Sequence, residues 1–318
     1  MKQFDDINKL SNYQSVCIIG HTSPDADALA SMVVFANFLK SKFNINKIDI
    51  FAECSKLQPQ YISLLDNYIL NPNSSSYEVA IMMDCPNTER LGQFKPLFDN
   101  AKLKMVIDHH QTNLFQGDIN IVNQQSSTCE IIYEIINEFN YILTNSDMQK
   151  IYAGIITDTN NFTVGKFNKK TFQIVSEIID NIDHESIYNL FFRNNSLKNM
   201  QLLSTAIRNI SSYQQGQIII SHITKEQAQE LHVHFDDYVG IINRLATINN
   251  SKLICFIYPK HENFYVSMRA RGGHKVSNIA KNYGGGGHDG AAAFLSELSI
   301  EQIEKLILDD FTNLLENN

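Results

Sequence analysis

Cysteine is scarce and scattered in this 318-residue chain: Cys17, Cys54, Cys85, Cys129 and Cys255 stand far apart, without any Cys-x-x-Cys pair. An odd number of isolated thiols suits a reducing compartment and argues against a disulfide framework or a Cys-rich zinc site. A Lys/Arg run is also missing, and the formal net charge is −8. Proteins that grip long nucleic acid usually show a basic stripe, because phosphate contacts carry most of that affinity. Long double-stranded nucleic acid is therefore not an expected partner. A phosphate-bearing substrate has to be small, or held through metals and backbone groups. No stretch is long and apolar enough for a bilayer, and "MKQFDDINKLSNYQ" has no signal-peptide core. A cytoplasmic protein without a membrane partner is expected.

What is present is ordinarily globular, with 43% hydrophobic and 19% charged residues. The length favours two domains over one core. "SVCIIG" (15–20), "KIDIFAE" (47–53), "YEVAIMMD" (77–84) and "LKMVIDHH" (103–110) read as buried strands, and "ALASMVVFANFLKSKF" (28–43) reads as a helix. Helical patterns between several of the strands predict a parallel α/β sheet. "NPNSSSYE" (71–78) is a short polar turn, and "SSTCEIIYEIINEF" (126–139) opens on a Ser127–Glu130 capping box before turning helical. The pattern restarts with strands at 216–224, 252–260 and 263–271, and an amphipathic helix closes the chain. The expected organisation is one α/β domain over 1–183, a helical linker over 184–204 and a smaller α/β domain over 205–318.

Acidic residues and histidines gather where strands end. "GHTSPDADALAS" (20–31) carries His21, Asp25 and Asp27 behind the first strand. Another strand ends at Asp84, the next at Asp108-His109-His110, and "YAGIITDTNNF" offers Asp158 after one more apolar run. In a parallel sheet the carboxyl ends of strands line one edge, where ligands bind. One Asp after a strand is commonly a turn residue or helix N-cap. Four such segments, each ending in Asp or His, are hard to obtain from turn chemistry. His21, Asp25, Asp27, Asp84, His109 and Asp158 make a mixed nitrogen and oxygen ligand set, large enough for two divalent metals if one carboxylate bridges. Two cations roughly 3.5–4 Å apart can activate a water and clamp a phosphoryl oxygen for in-line attack. Imidazole with carboxylate suits Mn²⁺, with Mg²⁺ as second choice.

"NYGGGGHDG" (282–290) is either a flexible linker or a loop whose backbone N–H groups approach a phosphate without side-chain obstruction. Its place between helix-like "VSNIAKNY" and apolar "AAAFL" favours the loop, with His288 beside it able to donate to an oxyanion. Arg269 and Arg271 alternate along a strand and so share a face, and their forks suit phosphate. His232 and His234 read as surface residues. His184, His222 and His261 read as structural.

These motifs resemble a known family. "HTSPDAD", the lone strand-end Asp84, "DHH" and "GIITDT" resemble the N-terminal motifs of the DHH phosphoesterases, and "VSMRARGGHKVSNIAKNYGGGGHDGAAAF" (266–294) is similar to the DHHA1 domain. The resemblance spans nearly the whole chain and is greatest to the short nanoRNase and pAp-phosphatase branch. It implies a parallel-sheet DHH domain, a helical linker and a smaller α/β DHHA1 domain, with the active site in the interdomain cleft. It implies that His21 and Asp25 hold one metal, Asp27, His109 and Asp158 the other, and that Asp84 bridges. Asp108 would orient a ligand imidazole, and His110 would face the substrate phosphate. Ser267, Arg269 and Arg271, Gly285, Gly286, Gly287 and His288 would belong to the substrate site. Ala26, Ala30 and the "AAA" at 291–293 depart from the usual glycines without removing a ligand. The activity implied is hydrolysis of short RNA oligonucleotides to 5′-mononucleotides and dephosphorylation of 3′-phosphoadenosine-5′-phosphate (pAp). Substrates would be short RNA, pAp or dinucleotides, and a homodimer is allowed. Cleavage of cyclic di-AMP or pApA uses the same ligands. A non-catalytic nucleotide sensor would keep the glycines but could drop ligands, and this chain drops none.

Overall fold

The computed structural model describes residues 4–54, 57–74, 76–193 and 195–316. The chain divides into two compact units, residues 1–194 and 195–318. Residue 75 of the polar turn at 71–78 and residue 194 of the 184–204 segment lie outside the described residues.

The first unit is built on five parallel strands, β1 (Ser15–Ile19), β2 (Lys47–Phe51), β3 (Val79–Met83), β4 (Leu103–Asp108) and β5 (Ile119–Val122), in the order β2-β1-β3-β4-β5. Side chains alternate between the two faces, so the runs are apolar throughout because both faces are covered. Ile18, Ile81, Met83, Met105 and Ile107 join the core formed with helices Ala26–Phe43, Thr128–Glu138 and Asn145–Asp158. Cys17, Ile19, Ala80, Met82 and Val106 point the other way, against Phe51, Leu91 and Phe98. Ala26–Phe43 is buried along nearly its whole length. Helices Lys169–Ile178 and His184–Phe192 complete the unit, with Ile174, Ile178 and Ile187 buried in the same core.

One element differs from the expectation. The apolar run before Asp158 belongs to a helix, Asn145–Asp158, started by a reciprocal capping box between Thr144 and Asp147. Asp158 therefore sits at a helix C-terminus, and only His21, Asp84 and the Asp108–His110 group follow strands. A short apolar run cannot by itself distinguish a buried strand from a buried helix segment.

The second unit has a mixed sheet of β6 (Ser211–Tyr213), β7 (Ile218–His222), β8 (Leu253–Lys260), β9 (Asn263–Ala270), β10 (Gly286–His288) and β11 (Ala291–Ser296), ordered β10-β11-β9-β8-β7-β6. Only β7 and β8 pair in parallel. Helices Val276–Asn282 and Ile300–Glu316 cover one face through Val276, Ala280, Ile303, Ile307 and Phe311. Helix Leu197–Arg208 covers the other through Leu202 and Ala206, packed with Ile219, Ile254 and Phe256. The glycine run, expected as a loop, ends in the edge strand β10, paired antiparallel to β11. Arg271 falls just beyond β9 and is exposed, while its N–H still donates to Lys252 O at 2.9 Å. Among the described residues no helix is long and apolar enough to cross a membrane.

Candidate functional site

Strands β1, β3 and β4 are neighbours, so the segments leaving their carboxyl ends meet. His21 follows β1 by two residues. Its Nδ1 lies 2.9 Å from the Thr22 carbonyl oxygen. A carbonyl only accepts, so Nδ1 is the donor there, and Nε2 is the nitrogen left facing the site. That Nε2 faces Asp25 Oδ2 and Asp84 Oδ2, each at 3.8 Å. His109 is arranged likewise. Its Nδ1 is 3.2 Å from the Gln125 carbonyl oxygen, and its Nε2 lies 3.3 Å from Asp158 Oδ2 and 3.5 Å from Asp84 Oδ1. Imidazole nitrogens that face carboxylate oxygens, at separations longer than a good hydrogen bond, leave room for a shared cation between them.

The carboxylates are fixed from behind. Asp25 is the N-cap of Ala26–Phe43, where its Oδ1 accepts from Ala28 N at 3.0 Å. The capping role and the ligand role thus use different oxygens. Asp27 is fully buried and accepts from two backbone N–H groups, Thr128 N at 2.6 Å and Cys129 N at 2.9 Å. These are orphan donors at the start of Thr128–Glu138, where the helix dipole favours an anion. Asp84 takes φ +53°, a left-handed conformation that Asp tolerates better than most residues, and its N–H donates to Ile107 O. Its Oδ1 accepts from Thr128 Oγ1 at 2.8 Å.

Ligand atoms of His21, Asp25 and Asp84 lie within 4.8 Å of one another, as do those of Asp27, His109 and Asp158, and those of Asp84, His109 and His110. Asp84 thus contacts histidines of both outer groups. Burial raises the Asp27 carboxyl well above its usual range, with Asp84, Asp158 and Asp25 adding like charge. Burial likewise raises Asp84, and pushes Asp158 up to about 7 against the opposing pull of His109. Carboxylates crowded this way call for positive charge, so the donor set fits divalent cations.

Asp108 is buried at the end of β4. Its Oδ1 is 2.7 Å from His110 Nδ1, and its Oδ2 accepts from Asn113 Nδ2 at 2.7 Å. The imidazole it orients is that of His110, whereas His109 is held by the Gln125 carbonyl. This hydrogen bond raises His110 to about 9. The Ser127–Glu130 capping box is half formed: Glu130 N donates to Ser127 Oγ, while the Glu130 carboxylate accepts from Ser126 Oγ instead.

In the second unit, Ser267, Arg269, Gly286 and Gly287 line one cavity of about 430 Å³ together with Asn243, Tyr238, Tyr258 and Tyr265. Arg269 Nε donates to Asn243 Oδ1 at 3.2 Å. Tyr238 and Tyr258 stack with centroids 4.4 Å apart, which gives the cavity a flat aromatic wall. Arg271, Gly285 and His288 are not among its lining residues.

Residues 15–157 match the DHH family, N-terminal domain, and residues 215–317 match the DHHA1 domain. The chain belongs to the DHH/DHHA1 family. It is therefore a phosphoesterase hydrolase of that family. It is 25% identical over 311 residues to the bifunctional oligoribonuclease and PAP phosphatase NrnA of Bacillus subtilis, covering 95% of this chain and 96% of that protein. The protein of the same name from Thermus thermophilus is 28% identical over 207 residues, 64% of this chain and 62% of that one. An exopolyphosphatase-related protein from Bacteroides fragilis has the same fold, with TM-score 0.77 at 22% identity over 100% of this chain and 98% of that structure.

Two residues of the DHH centre escaped the sequence reading. Thr128 looks like an ordinary helix-start residue, yet its hydroxyl holds Asp84 and its N–H holds Asp27. Gly154 lies one helical turn before Asp158, and a Cβ there would sit 2.7 Å from Asp27 Oδ1 and against Cys129 Sγ. An isolated glycine inside a helical pattern was the available signal.

Proposed function

We propose that this DHH/DHHA1 protein is a Mn²⁺-dependent phosphohydrolase that degrades short RNA oligonucleotides to 5′-mononucleotides and dephosphorylates pAp. The observation that carries this reading is the pair of groups His21–Asp25–Asp84 and Asp27–His109–Asp158, with Asp84 Oδ1 3.5 Å from His109 Nε2 and each ligand imidazole turning Nδ1 to a backbone carbonyl and Nε2 to the carboxylates. His21 and Asp25 would hold one cation, Asp27, His109 and Asp158 the other, and Asp84 both. Bound there, two such cations would supply Lewis-acid charge at a phosphoryl group and acidify a water, and mixed imidazole and carboxylate donors favour Mn²⁺ over Mg²⁺. His110, held through Nδ1 by Asp108, keeps Nε2 available to donate to a substrate phosphate oxygen. Ser267, Arg269, Gly286 and Gly287 would hold a phosphate and the tyrosine wall a base, and Arg271, Gly285 and His288, outside that cavity's lining, would act only as neighbours in sequence. In this division of labour the first unit would carry the metals and the second bind substrate, the 184–204 segment joining them through helices His184–Phe192 and Leu197–Arg208. The two relatives named for both activities lend the substrate assignment its support.

The test is turnover of an RNA trimer, pAp, pApA and cyclic di-AMP side by side, with Mn²⁺, with Mg²⁺ and with chelator. Hydrolysis of the trimer and pAp, fastest with Mn²⁺ and abolished by chelation, is the expected result. Turnover of cyclic di-AMP alone would replace this reading with the cyclic-dinucleotide one.

A further inference from the structure

We propose that Arg90 binds the phosphate group of the substrate at the metal centre, an assignment that rests on the phosphohydrolase reading above. Arg90 lies in the turn Thr88–Phe94, and its guanidinium Nη2 is 3.4 Å from His21 Nδ1. That nitrogen is the one whose proton is directed to Thr22 O. With Nδ1 protonated, as a metal-ligating Nε2 requires, His21 offers Arg90 no acceptor. Among the described residues no carboxylate forms an ion pair with Arg90. The side chain is exposed, yet its backbone is anchored. Thr22 N donates to Arg90 O at 2.7 Å, Thr88 N to Gln116 Oε1 at 2.8 Å and Gln93 N to Glu53 Oε2 at 2.6 Å. Ser23 N donates to Glu53 O at 2.7 Å, so the turn is tied to the segment carrying His21. Gly92, at φ +57°, lies where a Cβ would collide with the Glu53 carboxylate, so the turn accepts no other residue there without rearranging.

Charge counting gives this arginine its task. Asp25, Asp27, Asp84 and Asp158 together balance two divalent cations, so the loaded centre is close to neutral before substrate arrives. A phosphodiester then adds one negative charge and a terminal phosphate nearly two. A guanidinium with no ion-pair partner among the described residues, held beside a ligand imidazole by a fixed turn, is placed to meet that charge, and its planar fork matches phosphate oxygens.

The experiment uses the full-length, Mn²⁺-loaded protein and inorganic phosphate as the probe. Binding is followed by calorimetry in wild type, Arg90→Ala and Arg90→Lys, with Mn²⁺ binding measured separately in each. Losing a charge-assisted contact should weaken phosphate binding about 10- to 100-fold in Arg90→Ala, less in Arg90→Lys, with Mn²⁺ binding unchanged. Added guanidinium ion should restore part of the Arg90→Ala loss, which a merely structural arginine would not show. Phosphate binding equal in wild type and Arg90→Ala overturns the assignment. So does loss of Mn²⁺ in the variant, or a wild type that binds no phosphate. If phosphate binding falls as expected while wild type hydrolyses neither the RNA trimer nor pAp, Arg90 keeps its role and the substrate reading fails.

Discussion

Replacing Gly154 by Ala separates the packing of the metal centre from its chemistry. Gly154 sits in the interior of helix Asn145–Asp158, where Gly→Ala should stabilise by about 1 kcal/mol from helix propensity alone. The added Cβ, however, would overlap Cys129 Sγ and lie 2.7 Å from Asp27 Oδ1 and 3.0 Å from Cys129 Cβ. Overpacking in a core costs about 1–3 kcal/mol, so the net destabilisation falls between about 0 and 2 kcal/mol. The effect on metal should be larger. Asp27 is gripped by the N–H groups of Thr128 and Cys129, and displacing its carboxylate strains both. Disturbing the contacts that hold a ligand commonly costs about 10–100-fold in metal affinity. Urea unfolding reads the first quantity and Mn²⁺ calorimetry the second. Adding Cys129→Ala removes the sulfur overlap but leaves the Asp27 contact. The double variant should therefore be more stable than the two single losses summed, by about 0.5–3 kcal/mol, and still bind Mn²⁺ weakly. Wild-type Mn²⁺ affinity in Gly154→Ala would refute the claim that this glycine makes room for the Asp27 carboxylate.

Other perturbations test the remaining parts. Asp84→Asn should fold, lose the rise in Tm that Mn²⁺ gives the wild type, and lose nearly all turnover; near-normal Mn²⁺-dependent rates would sink the bridging assignment. Thr128→Val removes the hydroxyl bonded to Asp84 at 2.8 Å while leaving the backbone N–H on Asp27, so Mn²⁺ affinity should fall about tenfold, measured by the same titration. Arg269→Ala should raise KM, or lower both constants, with full Mn²⁺ occupancy retained; a metal-depleted variant with intact substrate binding would show that the arginine is misplaced. Gly285→Ala should lower Tm, because its Cβ would meet Ala293 O and lie 2.5 Å from Phe294 Cβ, whereas Gly286→Ala meets nothing within 4 Å and should leave Tm alone while weakening substrate binding.

The parallel sheet and the gathering of His21, Asp25, Asp27, Asp84, His109 and Asp158 were legible because each depends on a short-range pattern. Apolar runs ending in Asp or His predict strand ends, and in a parallel sheet those ends share an edge. What was not legible depends on contacts distant in sequence. The helical start of "SSTCEIIYEI" announces a cap, but nothing local says that its first two N–H groups hold Asp27, about a hundred residues earlier. Asp158 joins the cluster from a helix end and not from a strand end, because the short run Ala153–Ile156 ahead of it fits either periodicity. Asp108 was expected to orient a ligand imidazole. Its neighbour two residues on takes that bond, since the chain beyond β4 brings His110 back over the carboxylate and turns His109 towards Gln125.

The glycine run shows how one motif can carry two unrelated requirements. Gly285 and Gly287 are dictated by packing: a Cβ on either would strike the backbone of the β11 partner, and Gly287 at φ +139° adopts a conformation that L side chains rarely take. Gly286, between them, has open space on its Cβ side and lines the cavity with Ser267 and Arg269. Gly287 lines the same cavity, but only as bare backbone, because a Cβ there would strike Ala291 O and Ala292 Cα. Reading the run as a uniform phosphate loop therefore overcounts it. The backbone that can approach a ligand closely is centred on Gly286, and the two glycines beside it are there so that β10 can pair at all.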